Sequence, residues 1–501
     1  MKPSKRQQAI FDCWETEDCN ILINAVAGSG KTTTLMQLLE RSKTRTLFVA
    51  FNKTIQVEIQ ERIDTKGMAA YSRAMTMHSL GLSAIKRNYK FKIDTSKGFK
   101  MVKMVEKHFS NLYEYLGWQD KSFISSTLIA MNDVSRMFLN DDYTFLCKQL
   151  DIMGIPIVLF NKLDKLWDKM VEIRTKSYDK NVIDIDFADM IYLPLLKDLR
   201  IPVKPINLMV DECQDLNIAQ HALIDRIIEQ GDVKKWIAVG DPNQSIYGFA
   251  GANPEAFDLF KQRENVKELP LDICYRCPPN ILEKANEVYD VMEGFKTENG
   301  NVGLKKYEDI DTIPDGALVI CRNTAPLIRL FFELLGRDRK VFLKGDDVLG
   351  TVSKFLYPYL DMKFNHAIYA MEERINKLEY ISGNSHNPLD IYKLTEFNEN
   401  FANFKIMVNY FENRLETVSQ LLSFVKTLFA KKGSKGVTLC TIHKSKGLEN
   451  ETVYILEEKL IPSPKAKTSE MKVQEYNLKY VARTRASKNM YFLSLETDSN
   501  L

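Results

Sequence analysis

The chain has 501 residues, which is too long for one ordinary domain and predicts about two to four domains. Apolar residues make up 45% and charged residues 27%, as in soluble globular proteins, and the lack of a ~20-residue apolar run or signal peptide predicts a cytoplasmic protein without a membrane segment. Lys and Arg total 69 against 66 Asp and Glu, so nucleic-acid binding would have to come from a local groove rather than from overall charge.

The first predicted element is a helix that begins after Ser4, a suitable N-cap, and continues with apolar residues at helical spacing. This helix contains Gln7, which precedes a glycine-rich loop. A carboxamide has a donor side and an acceptor side, so Gln7 can fold back and read adenine. Taken alone, however, the residue favours the alternative, a glutamine on the surface.

Residues 21–35 carry the strongest motif. They predict a strand, a tight loop and the start of a helix, which together form a phosphate-binding cradle. In such a loop Lys31 reaches the β- and γ-phosphate oxygens, and the Thr32 hydroxyl binds Mg²⁺. Ala25 stands where the usual pattern has glycine. ATP and Mg²⁺ are therefore the expected cofactors, and the residues expected to bind the nucleotide here are Ala27, Gly28, Ser29, Gly30, Lys31, Thr32 and Thr33.

Two further predicted strands end in polar or aromatic residues. Residues 46–53 end with Phe51, Asn52 and Lys53, and the strand-like segment 75–80 contains His78. Because ligands of an open α/β sheet lie beyond the carboxyl ends of its strands, both segments are expected to line a site. The Lys-rich, helical stretch from about 86 to 180 has no catalytic signature and is predicted to be an inserted subdomain. The acidic run at 184–189 is consistent with helix caps.

The apolar strand at 206–210 ends in Asp211 and Glu212. Adjacent carboxylates divide the work of nucleotide hydrolysis, because Asp211 can hold the Mg²⁺ ion while Glu212 orients and deprotonates a water molecule. Together with the phosphate loop, this pair predicts a hydrolytic nucleotide site.

The next strand, at 236–239, is followed by a loop that contains Gln244, Tyr247 and Phe249. Gln244 has the position of a γ-phosphate sensor, and the two aromatic residues can contact a different ligand. One loop would then touch both ligands, which is a simple physical route for coupling hydrolysis to movement along a polymer.

The eight cysteines predict no zinc ribbon. Cys274 and Cys277 are the only two separated by two residues, and a ribbon needs a second such pair. Reduced, mostly structural thiols are the simpler interpretation.

These motifs together resemble the UvrD/PcrA/Rep group of superfamily 1 DNA helicases. In motif style they are most similar to the F-box DNA helicase and its phage and bacterial relatives. The resemblance covers residues 4 to about 493. It is carried in the first half by residues 28–32, 211–215 and 240–247, and in the second half by residues 271–279, 441–449 and 480–486.

The resemblance also implies roles for residues of the second half. Tyr275 would stack on adenine, Glu449 would contact the nucleotide, and Arg276 and Arg485 would reach the γ-phosphate as arginine fingers. His443 would contact DNA. The candidates for single-stranded DNA contact, by stacking or along the backbone, are Phe51, Asn52, His78, Tyr247, Phe249 and His443. For Phe51 and Tyr247 the alternative is packing within the lobe.

The implied fold is α/β, with two RecA-like P-loop lobes that have parallel sheets and that each carry an inserted, mainly helical subdomain. The lobes would face each other across the nucleotide, so hydrolysis would depend on closure. The expected bounds are 1–85 and 184–270 for lobe 1 with an insertion at 86–183, and 271–354 and 422–501 for lobe 2 with a short insertion at 355–421.

The implied function is that of an ATP-dependent DNA helicase and single-stranded DNA translocase that moves 3′→5′ in replication, recombination or repair. It would act as a monomer on single strands and on single-strand/duplex junctions, with replication, recombination or nuclease proteins as partners. The alternative is a DNA-sensing ATPase subunit of a defence or nuclease complex that does not unwind processively, because such a subunit keeps the same motifs. Three departures from the family pattern are Thr33 and Ala250, where relatives have arginine, and the short second insertion.

Overall fold

The computed structural model describes residues 3–155, 157, 160–384, 388–411, 414–429, 436–464 and 466–495. The chain divides into unit 1, formed by Met1–Cys274 and Lys467–Gln474, and unit 2, formed by Tyr275–Ala466 and Glu475–Leu501. Among the described residues, every helix is too short or too polar to cross a membrane.

Unit 1 contains a six-stranded parallel sheet with the strand order β3-β2-β6-β7-β1-β8. The strands of the unit are β1 (Asn20–Ala25), β2 (Thr46–Ala50), β3 (Ser72–Thr76), β4 (Lys90–Ile93), β5 (Val182–Ile185), β6 (Asn207–Val210), β7 (Lys235–Gly240), β8 (Val266–Leu271) and β9 (Ile273–Cys274). Asn24 pairs with Gly240, and Val210 pairs with Ala238, so the carboxyl ends of β1, β7 and β6 lie side by side.

Helices cover both faces of this sheet, and five further helices of unit 1 belong to an inserted group. The helices of unit 1 are α1 (Lys5–Thr16), α2 (Lys31–Ser42), α3 (Lys53–Thr65), α4 (Met77–Asn88), α5 (Lys97–His108), α6 (Ser110–Glu114), α7 (Trp118–Phe138), α8 (Tyr143–Ile152), α9 (Leu163–Ser177), α10 (Asp189–Leu196), α11 (Ile218–Glu229) and α12 (Ala256–Lys261). Side chains alternate along β1, so Ile21 and Ile23 pack in the core with α1, α2 and α3, whereas Leu22 packs in the core with α4 and α11. This double cover explains the nearly continuous apolar strands.

The inserted subdomain consists of α5–α9 around its own apolar core, which includes Trp167. The small parallel pair β4–β5 flanks these helices in sequence and was not predicted. The acidic run that follows the insertion does more than cap a helix. Asp189 is fully buried and forms ion pairs with Lys97 at 2.6 Å and with Arg136 at 2.8 Å.

Unit 2 contains a second six-stranded parallel sheet with the order β11-β16-β15-β12-β14-β13. Its strands are β10 (Glu293–Gly294), β11 (Asn301–Lys305), β12 (Leu318–Cys321), β13 (Val341–Leu343), β14 (Val437–Thr441), β15 (Asn450–Leu456) and β16 (Ala486–Leu493). Its helices are α13 (Pro279–Asn286), α14 (Thr324–Gly336), α15 (Asp346–Leu356), α16 (Phe364–Asn384), α17 (Pro388–Phe411), α18 (Val418–Phe429), α19 (Ile442–Ser445) and α20 (Ser469–Arg483).

The predicted fold class is confirmed, because each unit has a parallel sheet and an inserted group of helices. Two boundaries differ from the expected ones. The helical stretch of unit 2 runs from α15 to α18 and extends beyond 355–421 on both sides. The first residues of α20 belong to unit 1, where Met471 packs near Gly154, although the expectation placed all of 422–501 in lobe 2. Helical periodicity in the sequence does not reveal against which unit each turn of a long helix packs.

Candidate functional site

The phosphate loop lies between β1 and α2, as its motif predicts. Gly28 and Gly30 adopt left-handed backbone angles, with φ of 69° and 81°, and Gly30 is the N-cap of α2. Glycine is favoured here because a side chain at such angles is strained. The Ser29 hydroxyl donates to the carbonyl of Val26 at 2.8 Å and braces the turn. The N-terminus of the twelve-residue α2 therefore opens into this loop and is suited to bind an anion.

The acidic pair after β6 meets the first residues of α2. Thr32 Oγ1 donates a hydrogen bond to Asp211 Oδ2 at 3.1 Å, and Lys31 Nζ forms an ion pair with Glu212 Oε2 at 3.3 Å. Both contacts are possible because β6 and β1 are separated in the sheet by β7 alone. The structure thus brings together the four residues of unit 1 that the sequence predicts for phosphate and Mg²⁺ binding.

Burial strongly affects the protonation of this cluster. Burial and the nearby charge of Glu212 raise the pKa of Asp211 to about 7, although Lys31 opposes the shift. For Lys31, burial favours the neutral form, but the charges of Glu212, Asp241 and Asp211 outweigh it and raise the pKa. Three carboxyl groups therefore surround one ammonium group, and the cluster is short of positive charge.

A hydrogen-bonded chain extends the cluster to the loop after β7. Gln244 Nε2 donates to Asp241 Oδ2 at 2.5 Å, and the backbone N–H of Asp241 donates to Gln214 Oε1 at 3.0 Å. Gln214 Nε2 donates to Glu212 Oε2 at 2.7 Å. A Cβ atom at Gly240 would lie 2.6 Å from Gln214 Oε1, so glycine is needed there. Sequence reasoning identified Gln244 but missed Gln214 and Asp241 as connecting residues, although both lie inside the quoted motifs.

Gln7 is not a surface glutamine. Only 8% of the residue is exposed, and its Nε2 donates to Thr34 Oγ1 at 3.0 Å, on the helix that follows the phosphate loop. Its Oε1 accepts from the backbone N–H of Ser4 at 3.0 Å, which completes a capping box at the start of α1. The neighbouring Arg6 holds Asp272 through two hydrogen bonds of 2.9 Å. Gln7 therefore lies close to the phosphate loop, and its contact with adenine stays a prediction.

Unit 2 brings its predicted nucleotide residues into one neighbourhood. Arg276 Nε donates to Glu449 Oε2 at 2.7 Å, and its Nη1 donates to the carbonyl of Thr484 at 3.1 Å. Arg485, which directly follows Thr484 in the chain, is only 1% exposed. Its guanidinium donates to the carbonyls of Val481 at 2.8 Å and Leu448 at 3.2 Å, and to the Thr484 hydroxyl at 3.0 Å. This burial was not predicted, and it gives Arg485 a structural role as well as the expected catalytic one.

Tyr275 lies beside a second aromatic residue of unit 2. The centroid of its ring is 4.8 Å from that of Phe295, and the two planes are tilted by 45°. Its stacking on adenine stays a prediction.

Three predicted DNA contacts of unit 1 form an aromatic row at the carboxyl edge of its sheet. The rings of Phe51 and Tyr247 are stacked, with centroids 5.6 Å apart and planes at 17°. The ring of Phe249 follows at 6.2 Å from Tyr247, and 49% of Phe249 is exposed. Phe51 and Tyr247 pack against each other while each keeps an accessible part. Phe51 and Tyr247 therefore pack within the unit, and the stacking of DNA bases on the row stays a prediction.

His78, Asn52 and His443, the other predicted DNA contacts, differ in their surroundings. Burial lowers the pKa of His78, and its ring lies 6.3 Å from that of Phe187, a 59% exposed residue that the sequence analysis did not select. Asn52 Oδ1 accepts from the backbone N–H of Ile55 at 2.9 Å, so Asn52 caps α3. Burial, together with nearby cationic side chains, lowers the pKa of His443 to about 3. Both histidines are therefore neutral at physiological pH, and neither would attract DNA as a cation.

Asp211→Asn is expected to stabilise the protein in the absence of metal and nucleotide at pH 8. The folded protein keeps the Asp211 proton up to about pH 7, whereas the unfolded chain loses it near pH 3.8, so wild-type stability falls as the pH rises between these values. We expect the variant to gain about 2–4 kcal/mol in free energy of unfolding at pH 8 and less at pH 5. Urea unfolding at both pH values checks this, and a variant less stable than wild type at pH 8 would contradict it.

Two protein-family models together match most of the chain. A family model of the UvrD/REP helicase N-terminal domain matches residues 4–265, and one of the UvrD-like helicase C-terminal domain matches residues 351–497. The first match alone spans more than half of the 501 residues.

Several curated proteins are similar to the chain. The ATP-dependent DNA helicase PcrA of Leuconostoc citreum is 26% identical over 403 residues, which cover 74% of this chain and 51% of that protein. The ATP-dependent DNA helicase Rep of Buchnera aphidicola subsp. Schizaphis graminum is 24% identical over 616 residues, which cover 95% of this chain and 91% of that protein. DNA helicase II of Escherichia coli is 31% identical over 159 residues, which cover 30% of this chain and 21% of that protein. The chain thus spans about half the length, or less, of several relatives it matches.

Proposed function

This chain belongs to the UvrD/REP helicase family, and on that premise we propose that it is an ATP-dependent DNA helicase and single-stranded DNA translocase. The observation that carries the proposal is the cluster at the carboxyl ends of β1 and β6. There, Lys31 and Thr32 of the phosphate loop contact Glu212 and Asp211 directly. A phosphate cradle joined to a carboxylate pair has the parts required for hydrolysis of a triphosphate.

In this proposal Lys31 exchanges its ion pair with Glu212 for the phosphate oxygens when ATP binds. Glu212 is then released to orient and deprotonate the attacking water molecule. The amide of Gln214, which donates to Glu212, keeps that carboxylate in place. Gln244 senses whether the γ-phosphate is present, and its hydrogen bond to Asp241 transmits the change to the rest of the cluster.

The chemistry of the cluster fits Mg²⁺. Thr32 and Asp211 offer a hydroxyl and a carboxylate oxygen, which are the hard donors that Mg²⁺ prefers, and the surplus of carboxyl groups favours a divalent cation. We propose that these two residues hold the ion. When bound, Mg²⁺ would stabilise the negative charge of the phosphates.

We further propose that Arg276 and Arg485 act on the same triphosphate and that Tyr275 and Gln7 bind its adenine. The arrangement of Arg276, Glu449 and Arg485 within unit 2 supports this assignment. An arginine finger is worth about 10³–10⁵ in rate, so hydrolysis would respond steeply to how these side chains are placed.

Single-stranded DNA is the proposed polymer, and the aromatic row of Phe51, Tyr247 and Phe249 is its proposed stacking surface. Each base stacked on an aromatic ring contributes about 1–3 kcal/mol without regard to sequence. Tyr247 follows the sensor Gln244 in the same short loop, where the N–H of Ala250 donates to the carbonyl of Tyr247 at 2.8 Å. A change at the γ-phosphate can therefore move the stacking surface.

Phe249→Ala is expected to lower DNA-stimulated ATP hydrolysis by about tenfold and to leave the basal rate nearly unchanged. The side chain is half exposed at the end of the row, so its removal costs stacking energy with little loss of packing. Steady-state ATPase rates over a titration of oligo(dT) check this. Leu304→Ala is a suitable control, because Leu304 is 83% exposed in unit 2 and has no assigned role. An equal loss of basal and stimulated rates would show that Phe249 is a packing residue.

The experiment that tests the function as a whole measures ATP hydrolysis with single-stranded DNA, duplex DNA and RNA, followed by strand displacement on duplexes with 3′ or 5′ tails. We expect stimulation by single-stranded DNA and displacement from the 3′ tail, as a monomer. Strong stimulation without strand displacement would instead support a DNA-sensing ATPase subunit. Failure of every nucleic acid to stimulate hydrolysis would contradict both functions.

The cellular setting proposed from the resemblance is the cytoplasm, in replication, recombination or repair and with partners from those processes. Pull-down from cells that carry a tagged Glu212→Gln variant would identify such partners, because a variant unable to hydrolyse ATP is expected to stay on DNA.

A further inference from the structure

A cluster of sulfur and oxygen donors lies at the end of α1 and includes none of the residues proposed to bind nucleotide or DNA. Cys13 is in the last turn of α1, Glu17 caps the helix, and Cys19 immediately precedes β1. The two Sγ atoms are 3.6 Å apart, and Cys19 Sγ is 3.9 Å from Glu17 Oε2. One donor atom from each residue lies within 4.8 Å of the other two.

We propose that Cys13, Glu17 and Cys19 form a binding site for one thiophilic divalent cation of the Zn²⁺ type. A tetrahedral ion with bonds of about 2.3 Å to sulfur holds two thiolates about 3.8 Å apart, close to the spacing already present. Glu17 supplies the third ligand, and a water molecule takes the fourth position. This site is independent of the proposed helicase function.

The surroundings of the cluster suit cation binding. Cys13 is buried, Cys19 is partly accessible and Glu17 is exposed, so an ion can enter from solvent on the side of the carboxylate. A cationic group already occupies part of the site, since Lys267 Nζ lies 2.6 and 2.8 Å from the two Glu17 carboxylate oxygens. Lys267 therefore competes with a metal for Glu17.

Binding of the ion is coupled to proton release from the two thiols. Each thiol releases its proton to solvent when its sulfur coordinates the ion, so binding one ion releases two protons when both thiols are initially protonated. Because metal binding releases protons, the apparent affinity should rise with pH.

Sequence spacing could not reveal this site. The separation of Cys13 from Cys19 matches no common zinc pattern, and the two approach only because the chain turns back at the end of α1 to enter β1. α1 also carries Arg6 and Gln7, which contact Asp272 and Thr34 beside the phosphate loop. A cation at the site would tie the end of α1 to the start of β1.

The test uses the full chain, freed of metal and kept reduced with a phosphine. Co²⁺ is added as a spectroscopic probe, and Zn²⁺ affinity is measured by competition with a chromophoric chelator. We expect a sulfur-to-cobalt charge-transfer band with tetrahedral d–d bands, and one Zn²⁺ whose affinity falls at least about tenfold in Cys13→Ser and in Cys19→Ser. The Thr32 and Asp211 site has oxygen donors and cannot produce the sulfur band.

Two variants make the test specific. Lys267→Met should bind Zn²⁺ several-fold more tightly than wild type, because it removes the competing ammonium group, and unchanged affinity would refute Glu17 as the third ligand. Cys147→Ser changes a partly buried cysteine in the inserted subdomain and should match wild type. Thermal unfolding verifies that each serine variant is folded. A sulfur band of undiminished intensity in both Cys13→Ser and Cys19→Ser, or no sulfur band in the wild type, would overturn the proposal.

Discussion

Replacing Lys31 with alanine is expected to lower the rate of ATP hydrolysis by about 10³-fold or more. The side chain is only 11% exposed at the N-terminus of α2, and it is the cation that faces Glu212, Asp211 and Asp241. Without it, developing charge on the phosphates meets three carboxyl groups and no ammonium group. Binding of single-stranded DNA should change by less than about twofold, because the aromatic row does not involve Lys31. Single-turnover hydrolysis and fluorescence anisotropy with labelled oligo(dT) measure the two effects.

Stability must be followed alongside activity in this variant, because loss of Lys31 removes the ammonium charge that faces Glu212, Asp211 and Asp241. Lys31→Met keeps much of the side-chain volume and should show the same kinetic defect. Lys180→Ala, at an exposed lysine of unit 1, should behave as wild type. Glu212→Gln should bind ATP yet fail to hydrolyse it, since its amide cannot accept the proton of water. Normal turnover in both Lys31 variants would refute the site.

The sequence predicted the parts of this site that depend on local rules. Glycines with positive φ, a helix N-terminus after a buried strand, and carboxylates at the end of another strand are local features, and parallel pairing brings them to one edge. The two parallel sheets followed from the same reasoning, aided by the resemblance. The motifs also identified Gln244 and Arg276 before any contact was known.

What the sequence did not predict depends on tertiary burial. Gln7 taken alone favoured a surface residue, whereas the structure buries it against Thr34. Nothing near Arg485 in the chain indicates that Leu448 would accept its hydrogen bond. The role of Gln214 arises because β6 and β7 are neighbours, which places its amide against the N–H of Asp241. Such contacts join distant segments, and a local pattern carries no information about them.

The second large effect is expected from Arg276→Ala, which should lower DNA-stimulated hydrolysis by about 10³-fold with little change in thermal stability. Arg276 contacts the exposed Glu449 and one backbone carbonyl, so few buried groups lose a partner when it is removed. Stopped-flow measurement of phosphate release at saturating DNA and ATP checks the rate, and thermal unfolding checks stability. A variant with normal turnover would remove Arg276 from the catalytic assignment.

Arg485→Ala should differ from Arg276→Ala, because it should also lower the free energy of unfolding by about 2–4 kcal/mol. Its guanidinium donates to the carbonyls of Val481 and Leu448 and to the Thr484 hydroxyl, and alanine would remove all three of these hydrogen bonds from a residue that is only 1% exposed. Arg483→Ala is the matched control. Arg483 lies two residues away and is also buried, and its partners, which include Glu458 and Glu287, give it no expected catalytic role.

Comparing the two variants below their unfolding temperatures separates structure from catalysis at Arg485. If Arg485 acts on the triphosphate, folded Arg485→Ala should lose about 10³-fold in turnover while folded Arg483→Ala keeps most of its activity. Arg485→Lys should recover part of the stability but not the rate, because lysine carries the charge without the planar fork. If folded Arg485→Ala and folded Arg483→Ala retain the same turnover, the guanidinium of Arg485 only holds α20 against the loop before β15, and hydrolysis would depend on Arg276 alone among the proposed fingers.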